Sequence, residues 1–167
     1  MSIITKLKDK IGSGNFGFEM EELMSGHHEF EPGMGPEGTQ PFEFCVKWGA
    51  RDLADWSNPK SDSFMTNFLE GTVTVGGLCY NAPCRGTLQL MYFSEYKIRY
   101  TFEFEANGKS YTFIGEKVNI KPWNLPVSHT TCYGTLTETA TKKLVSRSLT
   151  FFKLRTAPSF ISSFRII

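Results

Sequence analysis

His129 and Tyr133 lie four residues apart at the start of a strand-like run, and Glu116 lies near the end of the run before it. In extended chain, residues four apart share a face. A carboxylate, an imidazole and a phenol around an apolar cavity can polarise a carbonyl or shuttle a proton. Residues 121–128 connect the two runs and carry Pro122, Trp123 and Pro126. The prolines hold that crossing extended at low entropic cost. Trp123 between them is large enough to plug a barrel mouth and has one donor to place. The plain alternative is a structural corner, in which Trp123 packs while His129 and Tyr133 bond to loop backbone.

Other chemistry-bearing residues are weaker signals. Gly12, Gly14 and Gly17 match a dinucleotide-binding fingerprint literally, but no buried strand precedes them and no helical period follows, so they read as a glycine turn. His27 and His28, beside Glu29 and Glu31, read as two exposed loop histidines, since a metal would need a third ligand and His129 is the only other histidine. Cys79 and Cys84 flank what reads as a tight turn, Tyr-Asn-Ala-Pro, and could pair under oxidation. With Cys45 and Cys132 they show no zinc spacing. Neither a Gly-x-Ser-x-Gly elbow nor a phosphate-binding loop occurs. No metal or cofactor is expected.

Strands must position these groups. Residues 96–105 alternate without a break: Tyr96, Ile98, Tyr100, Phe102 and Phe104 against Lys97, Arg99, Thr101, Glu103 and Glu105. One face is aromatic and the other charged, as in an antiparallel sheet wet on one side. Asn107-Gly108 follows, the dipeptide of a type I′ hairpin turn, and then a second strand over 110–118. Further strands are expected over 42–48, 68–75, 85–93, 130–139 and 144–154, with a loop and one turn of helix over 50–63. Residues 2–10 read as a short helix. Residues 12–40, rich in Gly, Glu and Pro, read as an irregular arm with a short strand near 16–24.

The expected fold class is therefore all-β, a single antiparallel up-and-down barrel. Residues 1–40 would form an N-terminal arm and 41–167 the barrel, ending in a packed apolar tail. Closure is favoured because an open meander of this length would leave hydrophobic edges bare. The 167 residues suffice for one domain with a real core. A net charge of +1 supplies no field to attract nucleic acid. No apolar run reaches the length of a membrane span, and the N-terminus lacks signal-peptide features, so a cytoplasmic location is expected.

The segment from Gly115 through Lys121-Pro-Trp-Asn-Leu-Pro-Val-Ser-His129-Thr-Thr131 resembles a bacterial accessory domain that is attached to, or encoded with, flavin-dependent sterol oxidases of the glucose-methanol-choline type. Glu70-Gly-Thr-Val-Thr-Val-Gly-Gly77, Arg155-Thr-Ala-Pro-Ser-Phe160 and Gly26-His-His28 are similar too. The resemblance covers residues 25–165. It implies a sterol or lipid context without oxidation, since this chain has no room for a flavin domain. It also leaves a homodimer or a flavoprotein partner open. In architecture the chain resembles calycins, the lipocalins and fatty-acid-binding proteins. The lipocalin Gly-x-Trp start is absent, for Trp48-Gly49 runs in the opposite order.

A barrel of about eight strands is just wide enough to be filled by side chains or to hold one small ligand. Aromatics make up 14% of the chain, which suits a ring-lined interior. The expected function is binding of a lipophilic small molecule, a sterol or fatty acid, by Tyr100, Phe102, Phe104, Phe113, Trp123, His129 and Tyr133. One alternative is a cofactor-free isomerase, cyclase or hydrolase using His129 with Glu116 or Tyr133. The other is an interaction module that docks through residues 158–167.

Overall fold

Alternation of inward and outward side chains builds every wall of this molecule. The computed structural model describes residues 5, 16–121, 123, 124, 128–153 and 156–167. Among them are β1 (Phe18–Phe30), β2 (Thr39–Ala50), β3 (Thr66–Val75), β4 (Cys79–Met91), β5 (Lys97–Ala106), β6 (Lys109–Lys117), β7 (Thr131–Glu138) and β8 (Leu144–Phe151). Each pairs antiparallel with the next, and β1 pairs with both β2 and β8. The result is a closed, eight-stranded, up-and-down barrel of calycin-like architecture.

The hairpin expected at Asn107-Gly108 is present. Both residues take positive φ, 51° and 76°, and Ala106 pairs with Lys109 across the turn. Along β5, Ile98, Tyr100, Phe102, Phe104 and Ala106 are buried, while Tyr96 falls outside the strand and is exposed. The helical turn inside 50–63 is α1 (Leu53–Trp56), capped by the Asp52 carboxylate accepting from the Asp55 N–H.

Two stretches differ from their sequence reading. Residues 18–30 are not an irregular arm but β1, a full barrel stave that joins β2 to β8. Its inward positions are Glu22, Met24, Gly26 and His28, so no apolar period marks it. Residues 79–84 are not a turn but the start of β4. The reversal lies one step earlier, at Gly76-Gly77-Leu78, and Asn81, at φ 47°, makes an irregularity in the β3–β4 ladder where its N–H bonds to Thr74 Oγ1. All four cysteines are free. The helix expected over 2–10 lies, apart from Thr5, outside the described residues.

The barrel interior has two halves. One is solid with rings: Phe113 stacks on Phe102 at 4.7 Å between centroids and lies 5.2 Å from Phe42, and Phe44 is 5.5 Å from Phe102. Phe104 and Tyr111 continue the stack. Phe113 fits because Gly115 and Gly134, paired across β6 and β7, leave its ring room. A Cβ at Gly134 would meet the ring at 2.4 Å and one at Gly115 at 2.7 Å.

The other half is closed by the tail. After β8, α2 (Ala157–Ser162) packs Phe160 against Phe152 and Trp48. Ser163 Oγ accepts from the Glu21 N–H, and β9 (Arg165–Ile166) adds to the end of β1. The apolar tail expected to be packed down is so through Phe160, while Ile161 and Phe164 are exposed, at 69% and 48%.

Candidate functional site

Between the ring stack and the tail helix the barrel holds a cavity of about 280 Å³. Leu88 and Leu90 of β4, Ile98 of β5, and Phe152 and Phe160 of the tail give it apolar walls. Tyr92 and His129, from the loops after β4 and before β7, also line it, with Tyr92 Oη 3.2 Å from His129 Nε2.

Set into those walls is a polar group that no hydrophobic pattern announces. Glu22 on β1, Tyr100 on β5 and Lys117 on β6 are all buried and all face inward. The Lys117 ammonium donates to Glu22 Oε1 at 2.7 Å. The Tyr100 hydroxyl donates to the same carboxylate at 3.0–3.1 Å, and the Trp48 indole N–H to Oε2 at 3.1 Å. Glu22 thus gathers three donors, the arrangement a buried carboxylate needs to offset its desolvation. Lys117 also lies over the Tyr100 ring, 5.3 Å from its centroid.

Burial, and next the neighbouring Glu22, pushes the Tyr100 phenol well above its ordinary range. The same two causes raise Tyr92. Both phenols therefore keep their protons at neutral pH and are not nucleophiles.

The residues expected to form the site divide three ways. Tyr100 and His129 line the cavity. Phe102, Phe104 and Phe113 do point inward, but they are packed in the filled half. Trp123 and Tyr133 are exposed, at 79% and 56%. Trp123 does not plug the mouth; its ring lies beside the Lys121 ammonium, at 5.6 Å. Tyr133 stands opposite Glu116 in the β6–β7 ladder, and both face outward. There Glu116 bonds to Lys97 at 2.9 Å and to Arg99 at 3.2 Å. Partial burial pushes Glu116 up, but these cations outweigh it and hold the carboxyl below its usual value. The structure therefore separates His129 from Glu116 and Tyr133 and brings it to Tyr92 instead.

His28 is not an exposed loop histidine: it is buried in β1, with Nε2 2.9 Å from the Gly76 carbonyl and its ring against Phe30 and Phe42. Among the described residues no group of three His, Cys, Asp or Glu could hold a metal ion. No described helix is long and apolar enough to cross a membrane.

Sequence reading missed Glu22, Lys117, Trp48, Tyr92 and the aliphatic wall. One signal was available: Lys117 has the inward parity of Phe113 and Gly115, and Glu22 that of Met24. Opposite charges at inward positions of two strands imply a buried pair. Compared with protein-family models, with curated proteins and with solved structures, the chain finds no match in any of the three.

Proposed function

We propose that the barrel binds one compact lipophilic molecule in the cavity beneath α2. The supporting observation is the composition of that space among the described residues: apolar side chains on several sides, the convergent cluster on Glu22, and the Tyr92–His129 pair, the usual make-up of a small-molecule site. Burial of the guest's apolar surface drives binding at about 25 cal/mol per Å² before ordering costs. Tyr100 and His129 keep the lining role read from sequence, joined by Trp48, Leu88, Leu90, Ile98 and Phe160. A volume near 280 Å³ sits just below the ~300–1,000 Å³ range of drug-sized sites. That favours a guest smaller than the sterol implied by the resemblance to sterol-oxidase accessory domains.

Native mass spectrometry tests this reading. The purified chain is expected to carry or take up a single lipophilic adduct. Leu90→Trp, which fills the space, is expected to abolish it while the protein stays folded. Undiminished uptake by a folded Leu90→Trp protein would refute the assignment of the site.

A further inference from the structure

Resting on the binding role just proposed, we infer that the guest is uncharged and carries a carbonyl, as a ketone, aldehyde or ester, seated on the Lys117 ammonium. A count of donors and acceptors carries this. Tyr100 and Trp48 each spend their one donor on Glu22. Tyr92 and His129 engage each other at 3.2 Å. Lys117 has three N–H bonds and gives one to Glu22, its one hydrogen-bond partner among the described residues. Two donors therefore remain without a hydrogen-bond acceptor on a cavity-lining group that is 5% exposed, with only the faces of Tyr100 and Phe152 near it, at 5.3 and 6.0 Å, among the described residues. The capacity left on Lys117 is donating, and a guest completes it by accepting.

Charge then selects among acceptors. The ammonium is already neutralised by Glu22 at 2.7 Å. A carboxylate guest would place a second anion beside Glu22, so its attraction to Lys117 is opposed by like-charge repulsion while its own desolvation stays uncompensated. A hydrocarbon guest keeps its burial but leaves the two donors unmet. A neutral carbonyl satisfies them and adds no charge. This sets the site apart from one built for free fatty acids, which needs net positive charge.

Three ring compounds of matched size separate these cases: acetophenone, ethylbenzene and benzoate, titrated into the full chain and followed by amide NMR. Acetophenone is expected to bind about tenfold or more tighter than either of the others, the range for a hydrogen bond to a charged donor. Its carbonyl infrared band is expected to shift to lower frequency when bound. In the Glu22→Gln/Lys117→Met double variant the preference over ethylbenzene should vanish, while ethylbenzene still binds. The ranking and the infrared shift are read on the natural sequence, so they hold even if that variant does not fold. Acetophenone binding no tighter than ethylbenzene, or benzoate binding tightest, overturns the carbonyl inference and leaves the lipophile site standing. Failure of all three to bind overturns both.

Discussion

Lys117 Nζ and Glu22 Oε1 stand 2.7 Å apart inside the barrel although 95 positions separate them in the chain. β1 and β6 are not neighbours in the ring, so the pair spans the interior rather than stapling two adjacent staves. Its geometry depends on closure of the whole barrel.

Breaking that pair from one side should cost more than removing it. Lys117→Met leaves Glu22 buried with its charge uncompensated, and a loss of about 3–5 kcal/mol is expected. Adding Glu22→Gln keeps acceptors and donors for Tyr100 and Trp48 and should return most of that loss. Urea unfolding of the two single variants and the double variant measures the coupling. A double variant no more stable than Lys117→Met would show that the pair is not coupled as the geometry implies.

Phe113 and the glycines beneath it make a second prediction. Gly134→Ala puts a methyl 2.4 Å from a ring already held between Phe102 and Phe42, and equally close to Ser148 Oγ, a small hydroxyl that can rotate away where the packed ring cannot. Overpacking of this kind costs about 1–3 kcal/mol. In a Phe113→Leu background the same substitution should cost clearly less, because the side chain above is shorter. Equal costs in both backgrounds would place the strain elsewhere.

The sequence carried the architecture wherever burial and apolarity coincide. On β2 and β5 the inward set is almost purely aromatic and aliphatic, and alternation alone placed Phe42, Phe44, Tyr100 and Phe102 correctly. It failed on β1, whose inward set includes Glu22 and His28, because the burial of a charge is decided by a partner far along the chain. The same cause hid the site. Parity along a strand gives the face a side chain takes but not its height in the barrel, so Phe102 and Tyr100 look alike although one is packed and the other borders the cavity. Tyr133 was misplaced because four residues of spacing ignored the loop between His129 and the start of β7 at Thr131.

Thiol chemistry should sort the cysteines by burial. Burial pushes Cys84 and Cys132 up to about 12. At pH 8 a thiol of that kind is ionised about one part in 10⁴, and thiolate is the reactive form. Cys45 is exposed on the outer face of β2; partial burial, and next Glu21 and Glu43, raise its thiol too, so access is what sets it apart. With a chromogenic disulfide reagent, one fast equivalent is expected from Cys45 and slower reaction from half-buried Cys79. Cys84 and Cys132 should react only as the barrel unfolds, and the fast equivalent should be missing in Cys45→Ser. Rapid reaction of all four in the folded protein would contradict this order.

His28 gives the fold a pH dependence whose sign follows from its burial. Burial lowers its pKa below the ordinary 6.5, with the Gly76 bond opposing and His27 assisting. Above pH 6.5 the ring is neutral both folded and unfolded and contributes no slope. Below 6.5 the unfolded chain takes up a proton that the folded one does not, so stability falls as the pH falls until the lowered folded pKa is reached. The slope from this one group can approach about 1.4 kcal/mol per pH unit in that window. Urea midpoints at pH 7.5 and 5.5 should therefore differ more for the natural protein than for His28→Gln, whose side chain keeps a donor for Gly76 and does not titrate. His27, on the outer face of the same strand, supplies the control, since His27→Gln removes an exposed imidazole and should leave most of the slope in place. If His28→Gln retains the full slope, the acid sensitivity resides in other groups and the buried ring is not its source.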